Sequence, residues 1–129
     1  MKTDDHSFVL KSSPAPNAGV GVFALHDISE GIHLALKPQG KSVGIDVKEE
    51  EIPKELLGYC VAKENNIWNC PPEFNHMHLV WYLNHSKRPN AEEREDGYCS
   101  THSIKSGDEI TIDYNSLGEP EEKKETYYR

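Results

Sequence analysis

The sequence predicts a mostly-β domain, and two observations predict it. Short β-branched and aromatic stretches recur along the chain, and turn-forming residues cut them off at close spacing. The one clear helix candidate, Glu50-Glu51-Ile52-Pro53-Lys54-Glu55-Leu56-Leu57-Gly58, is short, with acids and proline in its first turn and glycine near its end. A chain of 129 residues has the mass for one domain with a modest core.

Ser7 to Ser12 alternates weakly through Phe8 and Leu10 and reads as a first strand. Ser13-Pro14-Ala15-Pro16-Asn17-Ala18-Gly19 is a loop, because two prolines and a glycine leave no room for an element. Val20 to Leu25 is a strand, and Asp27-Ile28-Ser29-Glu30-Gly31 turns the chain into another from Ile32 to Leu36. Lys37 to Asn75 carries the weakest pattern, with Pro71-Pro72 ending the segment around Ile67-Trp68. Asn90 to Arg94 and Tyr98 to Ser103 flank Asp96-Gly97, a favoured hairpin turn. A last turn at Lys105-Ser106-Gly107-Asp108 feeds the strand Glu109 to Tyr114. There strand parity puts Tyr114 on the side of Ile110 and Ile112, opposite Thr111 and Asp113. From Asn115 onward the chain is charged, and Tyr127 and Tyr128 alone offer anything to pack.

The formal charge of -8, from 22 acidic and 14 basic residues, argues against a nucleic-acid backbone as partner, which needs clustered Lys and Arg. A basic peptide suits an acidic cleft better, although acidity also serves solubility alone. No run reaches the 18 or so apolar residues of a membrane span, and the start does not read as a signal peptide, so a soluble intracellular protein is expected. Cys60, Cys70 and Cys99 are odd in number and lack a Cys-x-x-Cys pair, which points to buried free thiols rather than a disulfide framework.

Gly19-Val20-Gly21-Val22-Phe23-Ala24 formally fits a dinucleotide fingerprint. That fingerprint needs a strand before it and a long helix after it, whereas here two prolines precede and a β-type stretch follows. The glycines either permit a tight turn or let a ligand approach the backbone closely. Asn84-His85-Ser86 follows the apolar run Leu79-Val80-Trp81-Tyr82-Leu83 directly, and polar side chains at such a place call for buried hydrogen bonds or a ligand. A zinc site from His76, His78 and His85 with Cys60 or Cys70 is a further alternative, but the spacing is irregular. Read alone, Tyr114 caps the core and sends its hydroxyl to a nearby acceptor.

Together, the glycine pair, the string Asn84-His85-Ser86-Lys87-Arg88-Pro89-Asn90 and the strand Gly107-Asp108-Glu109-Ile110-Thr111-Ile112-Asp113-Tyr114 resemble the SET domain, the fold of many protein lysine methyltransferases. The resemblance implies a SET fold of several small curved sheets with one or two short helices and a C-terminal pseudoknot. It implies a SET domain over 1–129, with N-terminal part 8–36, variable insert 37–75, C-terminal part 76–114 and polar tail 115–129. It further implies S-adenosylmethionine bound by Gly19, Val20, Gly21, Asn84, His85 and Tyr114, with Tyr114 as the catalytic residue and no metal. The partner it implies is a lysine-containing basic protein or peptide, and Pro89 and Asn90 would shape the exit from the knot. Some SET enzymes carry an aromatic residue where this chain has Val20. Zinc-binding cysteine clusters that flank larger members have no counterpart here, and Tyr127 or Tyr128 could close the lysine channel instead. Trp68, Trp81, Tyr82 or Tyr98 could wall that channel. A SET-fold binding module without turnover and a zinc-dependent interaction domain are the rival functions.

Overall fold

A computed structural model describes residues 7–38, 43–95 and 97–129. Nine short strands among the described residues make three small sheets: β1 (Phe8–Ser12), β2 (Val20–Ala24), β9 (Glu109–Ile112) and β6 (Asn84–His85) in that spatial order; β3 (Ile45–Lys48), β5 (Ile67–Cys70) and β4 (Val61–Ala62); and the ribbon β7 (Ala91–Arg94) with β8 (Gly97–Ser100). The expected mostly-β architecture of small sheets is therefore the observed one. Among the described residues, helical structure is confined to short 3₁₀ turns.

β9 is the axis of the first sheet. Ile110 and Ile112 are buried against Val22, Leu83 and Ile104, while Glu109 and Thr111 on the opposite parity are only half-buried. The β-branched alternation predicts this split. β2 pairs antiparallel with β9 through Val22↔Ile110, and β6 pairs parallel with it through Asn84↔Thr111 and His85↔Ile112. Parallel pairing of two residues offers few ladder bonds, and a side chain extends it. Asn90 Nδ2 donates to the Glu109 carbonyl (2.8 Å) and its Oδ1 accepts the Thr111 N–H (2.9 Å), so one amide acts as a further residue of strand. Asn90→Ala leaves both backbone groups without these partners and is expected to cost about 2–3 kcal/mol in urea unfolding. Asn90→Asp will not restore it, because a carboxylate cannot donate to the Glu109 carbonyl.

The turn before β9 closes through Asp108 N–H to Lys105 O (2.9 Å), with Gly107 at φ 91°, a left-handed conformation open mainly to glycine. The insert has its own small core of Ile52, Cys60 and Cys70 packed by Trp68, Leu57 and Phe74. All three cysteines are free and buried, and burial pushes the Cys60 thiol far up.

Four expectations need correction. Ile32 to Leu36 is not a strand: His33 makes one antiparallel bridge to Cys99, and the Ser100 hydroxyl accepts the Ile32 N–H (2.9 Å), replacing a ladder bond with a side chain. Glu50 to Gly58 is not one helix but two 3₁₀ turns, Glu49–Glu51 and Lys54–Tyr59, because Pro53 has no N–H to continue the ladder and Ile52 before it is extended. The hairpin pairs Arg94 with Gly97, so the glycine sits in β8 rather than in the turn, and Asp96 lies outside the described residues. The last strand also ends early, at Ile112, where Asp113 accepts the Asn115 N–H and starts a 3₁₀ turn over Tyr114–Leu117.

Candidate functional site

The loop before β2 and the end of β6 meet over the outer face of β9. Asn84 Nδ2 donates both to the Val20 carbonyl (3.0 Å) and to Glu109 Oε2 (2.7 Å), and the Ser13 hydroxyl donates to Glu109 Oε1 (2.7 Å). Gly21 is where this cluster has no room for a side chain: a Cβ there would stand 2.2 Å from Glu109 Oε2 and 2.9 Å from Asn84 Nδ2. Gly19 is different, with no atom within 4 Å of a Cβ position, so its backbone borders open space. Val20 between them is exposed. Glu109 carries a carboxylate that receives hydrogen bonds only from neutral groups here and forms no ion pair among the described residues. Sequence reasoning did not single out Glu109. Its signal was an acidic residue in a strand whose next position, Ile110, is core.

One residue further along β6, His85 and Tyr114 are joined. The Tyr114 N–H donates to His85 Nδ1 (3.1 Å) and the Tyr114 hydroxyl donates to the Leu83 carbonyl (2.6 Å). An imidazole that accepts at Nδ1 carries its proton at Nε2, which is buried and has no hydrogen-bond partner. Burial lowers the His85 pKa, against the opposing pull of Asp113, whose carboxylate stands 3.7 Å from Nδ1. That contact is therefore not a charge pair at neutral pH. Burial first, then the neighbouring phenols and carboxylates, pushes the Tyr114 phenol well above the ordinary tyrosine range, so it stays protonated.

The tail supplies two more rings. Tyr128 packs edge-on against Tyr114 with ring centres 5.1 Å apart, and lies 5.7 Å from His85. Tyr127 stands 6.4 Å from both. Tyr128 is 6% exposed, so the charged tail is docked by its aromatic end. Before this, the chain carries Gly118 at φ 77°, which ends the 3₁₀ turn after Tyr114 in a left-handed residue and redirects the tail.

A cleft of about 1350 Å³ opens beside Tyr114, walled by the insert on one side and the tail on the other. Trp68, Trp81 and Tyr98, three of the four aromatics named as candidates for a channel wall, line it, while Tyr82 does not. Burial pushes the Tyr98 phenol up to about 12. Of the predicted site residues only Tyr114 lines this cleft; Val20, Gly21 and Asn84 gather around Glu109, His85 sits with Tyr114, and Gly19 borders open space. Tyr114 thus lines the aromatic cleft and is tied through His85 to the strand that carries Asn84 and its polar cluster. Cys60 and Cys70 share the insert core, but among the described residues no three of His, Cys, Asp and Glu are placed to hold a metal ion, so His76, His78 and His85 do not join them in a site. No long helix follows Gly21, so the dinucleotide fingerprint has no structural counterpart. No helix among the described residues is long and apolar enough to cross a membrane.

Comparison with known proteins agrees with this layout. The SET domain family model matches residues 19–115. Among solved structures, a humanized mutant of the Chaetomium thermophilum Polycomb Repressive Complex 2 bound to the inhibitor GSK126 is similar at 21% identity and a TM-score of 0.58, over 86% of this chain and 15% of that one. A Plasmodium falciparum protein described as a candidate histone methyltransferase is similar at 21% identity and a TM-score of 0.46, over 82% of this chain and 90% of its own. No curated protein sequence matches. At such identity the structural likeness is one of fold. The family match is broader, spanning the glycine pair, the Asn-His-Ser segment and the strand that leads to Tyr114, and by it the chain belongs to the SET domain family.

Proposed function

We propose that this chain is an S-adenosylmethionine-dependent protein lysine methyltransferase in which Tyr114 is the catalytic residue. The observation that carries the proposal is the hydrogen bond from the Tyr114 hydroxyl to the Leu83 carbonyl at 2.6 Å, both residues lining the cleft. Because that bond uses the phenol's only proton, the lone pairs on its oxygen remain to accept from a substrate.

The polar cluster around Glu109 suits a cationic donor. The Glu109 carboxylate and the Val20 carbonyl lie there with no Lys or Arg paired to them among the described residues, and Gly19 leaves its backbone open. Gly19, Val20, Gly21, Asn84 and His85 would hold S-adenosylmethionine through backbone and amide groups. When bound, it supplies a methyl group on a positively charged sulfur. The chain's own contribution is positioning. Transfer to an amine is an in-line displacement, and alignment in a narrow channel supplies much of the rate. Trp81, Tyr98 and Tyr127 line the cleft, and desolvation there together with the sulfonium charge nearby would favour the neutral amine that can attack. The Tyr114 oxygen then orients the amine through an N–H and can accept weak C–H hydrogen bonds from the polarised methyl. The parallel pairing of β6 with β9 supports a threaded crossing of these segments, and the one-domain organisation over 1–129 belongs to the same proposal.

The substrate is a lysine-containing basic protein or peptide. Glu93, Glu119, Glu122 and Glu125 along the cleft favour basic residues flanking the lysine. The test is transfer of tritium from labelled cofactor to histones, ribosomal proteins or a cell lysate. Label on lysine supports the proposal. Calorimetric cofactor binding without transfer to any lysine substrate would leave a SET-fold binding module instead.

A further inference from the structure

We infer that Glu119 is a positioning residue that fastens the two walls of the lysine cleft to each other, so that insert and tail close around the substrate side chain as one unit. This rests on the methyltransferase proposal for its kinetic consequence but not for its structural one.

Glu119 uses both oxygens in bonds to opposite walls. Oε2 accepts the backbone N–H of Ala62 at 2.8 Å, and Oε1 accepts the Tyr128 hydroxyl at 2.5 Å. Ala62 belongs to β4, the two-residue edge strand of the insert sheet, and is 1% exposed. Its N–H points away from the β4–β5 ladder and would be a buried donor without the carboxylate. The Tyr128 hydroxyl has the same need, since the residue is 6% exposed. Hydrogen bonds to an ionised acceptor are roughly twice as strong as neutral ones, and leaving either donor unmade carries the full desolvation cost.

The wall held in this way is the one over Tyr114. The Tyr128 carbonyl accepts from Asn115 Nδ2 at 2.6 Å, and its ring lies edge-on to Tyr114. Both ends of Tyr128 are thus tied, one to the turn that carries Tyr114 and one to Glu119. Apart from Glu119, the tail reaches the insert through Lys123 Nζ, which donates to Glu49 Oε1 and Asn66 Oδ1 at 3.0 Å each. These are more exposed contacts at the far side of the insert, and an exposed ion pair contributes little. Leu117 packs against the main core ahead of Gly118, but residues 119–125 are mostly charged, so the stretch between that leucine and the tyrosine pair has little apolar packing of its own. With two weakly self-stabilised walls and one carboxylate between them, loss of Glu119 should free both together.

The experiment compares Glu119→Ala, Glu119→Gln and the unaltered full chain by amide hydrogen exchange and by kinetics with a lysine peptide. In Glu119→Ala, exchange at Ala62 and at residues 126–128 should quicken together, each by tenfold or more on the order of one lost charge-assisted bond. Peptide KM should rise by about tenfold, with kcat falling less, and cofactor Kd measured by calorimetry should hold. Glu119→Gln, which keeps an acceptor for Ala62 and a polar partner for Tyr128, should recover most of both. The inference is overturned if only the tail, or neither wall, exchanges faster, or if cofactor affinity falls as much as peptide affinity. The exchange arm needs no turnover, so a chain that fails to transfer methyl would sink the methyltransferase proposal while leaving the coupling of the walls tested.

Discussion

Tyr114→Phe is expected to lower kcat by about 10²-fold or more while cofactor affinity stays unchanged. The substitution removes the oxygen proposed to orient the amine but keeps the ring, which packs against the apolar core with Leu117 and against Tyr128. The Leu83 carbonyl loses a 2.6 Å donor, and the fold should weaken by about 1 kcal/mol for that unpaired group. A modest stability change alongside a large kinetic one is what a positioning hydroxyl requires. Tyr114→Phe with undiminished turnover would remove Tyr114 from the mechanism, and a parallel loss of cofactor binding would show that it acts on the wrong half-site.

The same phenol sets the pH behaviour. Its pKa is raised in the folded chain, so the protonated form is the one the structure favours. The kcat/KM profile should therefore climb as the substrate amine deprotonates and show no descending limb from Tyr114 near pH 10, where an ordinary tyrosine ionises. Stability carries the complementary sign. Tyr98, Tyr114 and Tyr128 all have raised values, so the stability they contribute is complete below about pH 10 and is lost as pH rises and the unfolded chain ionises. His85 acts at the other end. Its lowered value means its contribution is complete above about pH 6.5 and fades as acid protonates the Nδ1 that accepts from Tyr114.

How much of this was legible beforehand depended on the range of the interaction. β1, β2 and β9 declare themselves through β-branched alternation, and Gly107 marks its turn because left-handed backbone is cheap only for glycine. Ile32–Leu36 misled because its composition is strand-like, while the partner that intercepts its N–H is a serine hydroxyl 68 positions away. The site divides in the same way. Gly21, Asn84, His85 and Tyr114 carry motif signals, but Glu109 and Glu119 read as ordinary surface acids among 22. Only folding shows that one lies under Gly21 and the other between two walls. Tyr128 was visible as an aromatic in a polar tail, yet no periodicity could place it against Tyr114 across a 3₁₀ turn and a left-handed glycine.

Gly21→Ala should be a strongly damaging single-methyl change, and its consequence can be separated into strain and function. The added carbon meets Glu109 Oε2 at 2.2 Å, far inside contact distance. Carboxylate ends usually swing away at small cost, but this one is held by Ser13 on one oxygen and Asn84 on the other. Moving it breaks both bonds and releases the amide that grips the Val20 carbonyl. We expect about 1–3 kcal/mol of destabilisation in urea unfolding, the usual range for forced overpacking. Loss of calorimetric S-adenosylmethionine binding should accompany it, because the glycine loop and Asn84 lose their shared register. The double variant Gly21→Ala with Glu109→Ala removes the obstructing carboxylate, so it should recover stability to near that of Glu109→Ala alone, a coupling that non-additivity in the cycle would report. Cofactor affinity should not return with it, since Asn84 would still lack the acceptor that fixes its amide. Recovery of both together would mean that Gly21 serves only to make room for Glu109. Recovery of neither would mean that the glycine is needed for its backbone and not for the space above it.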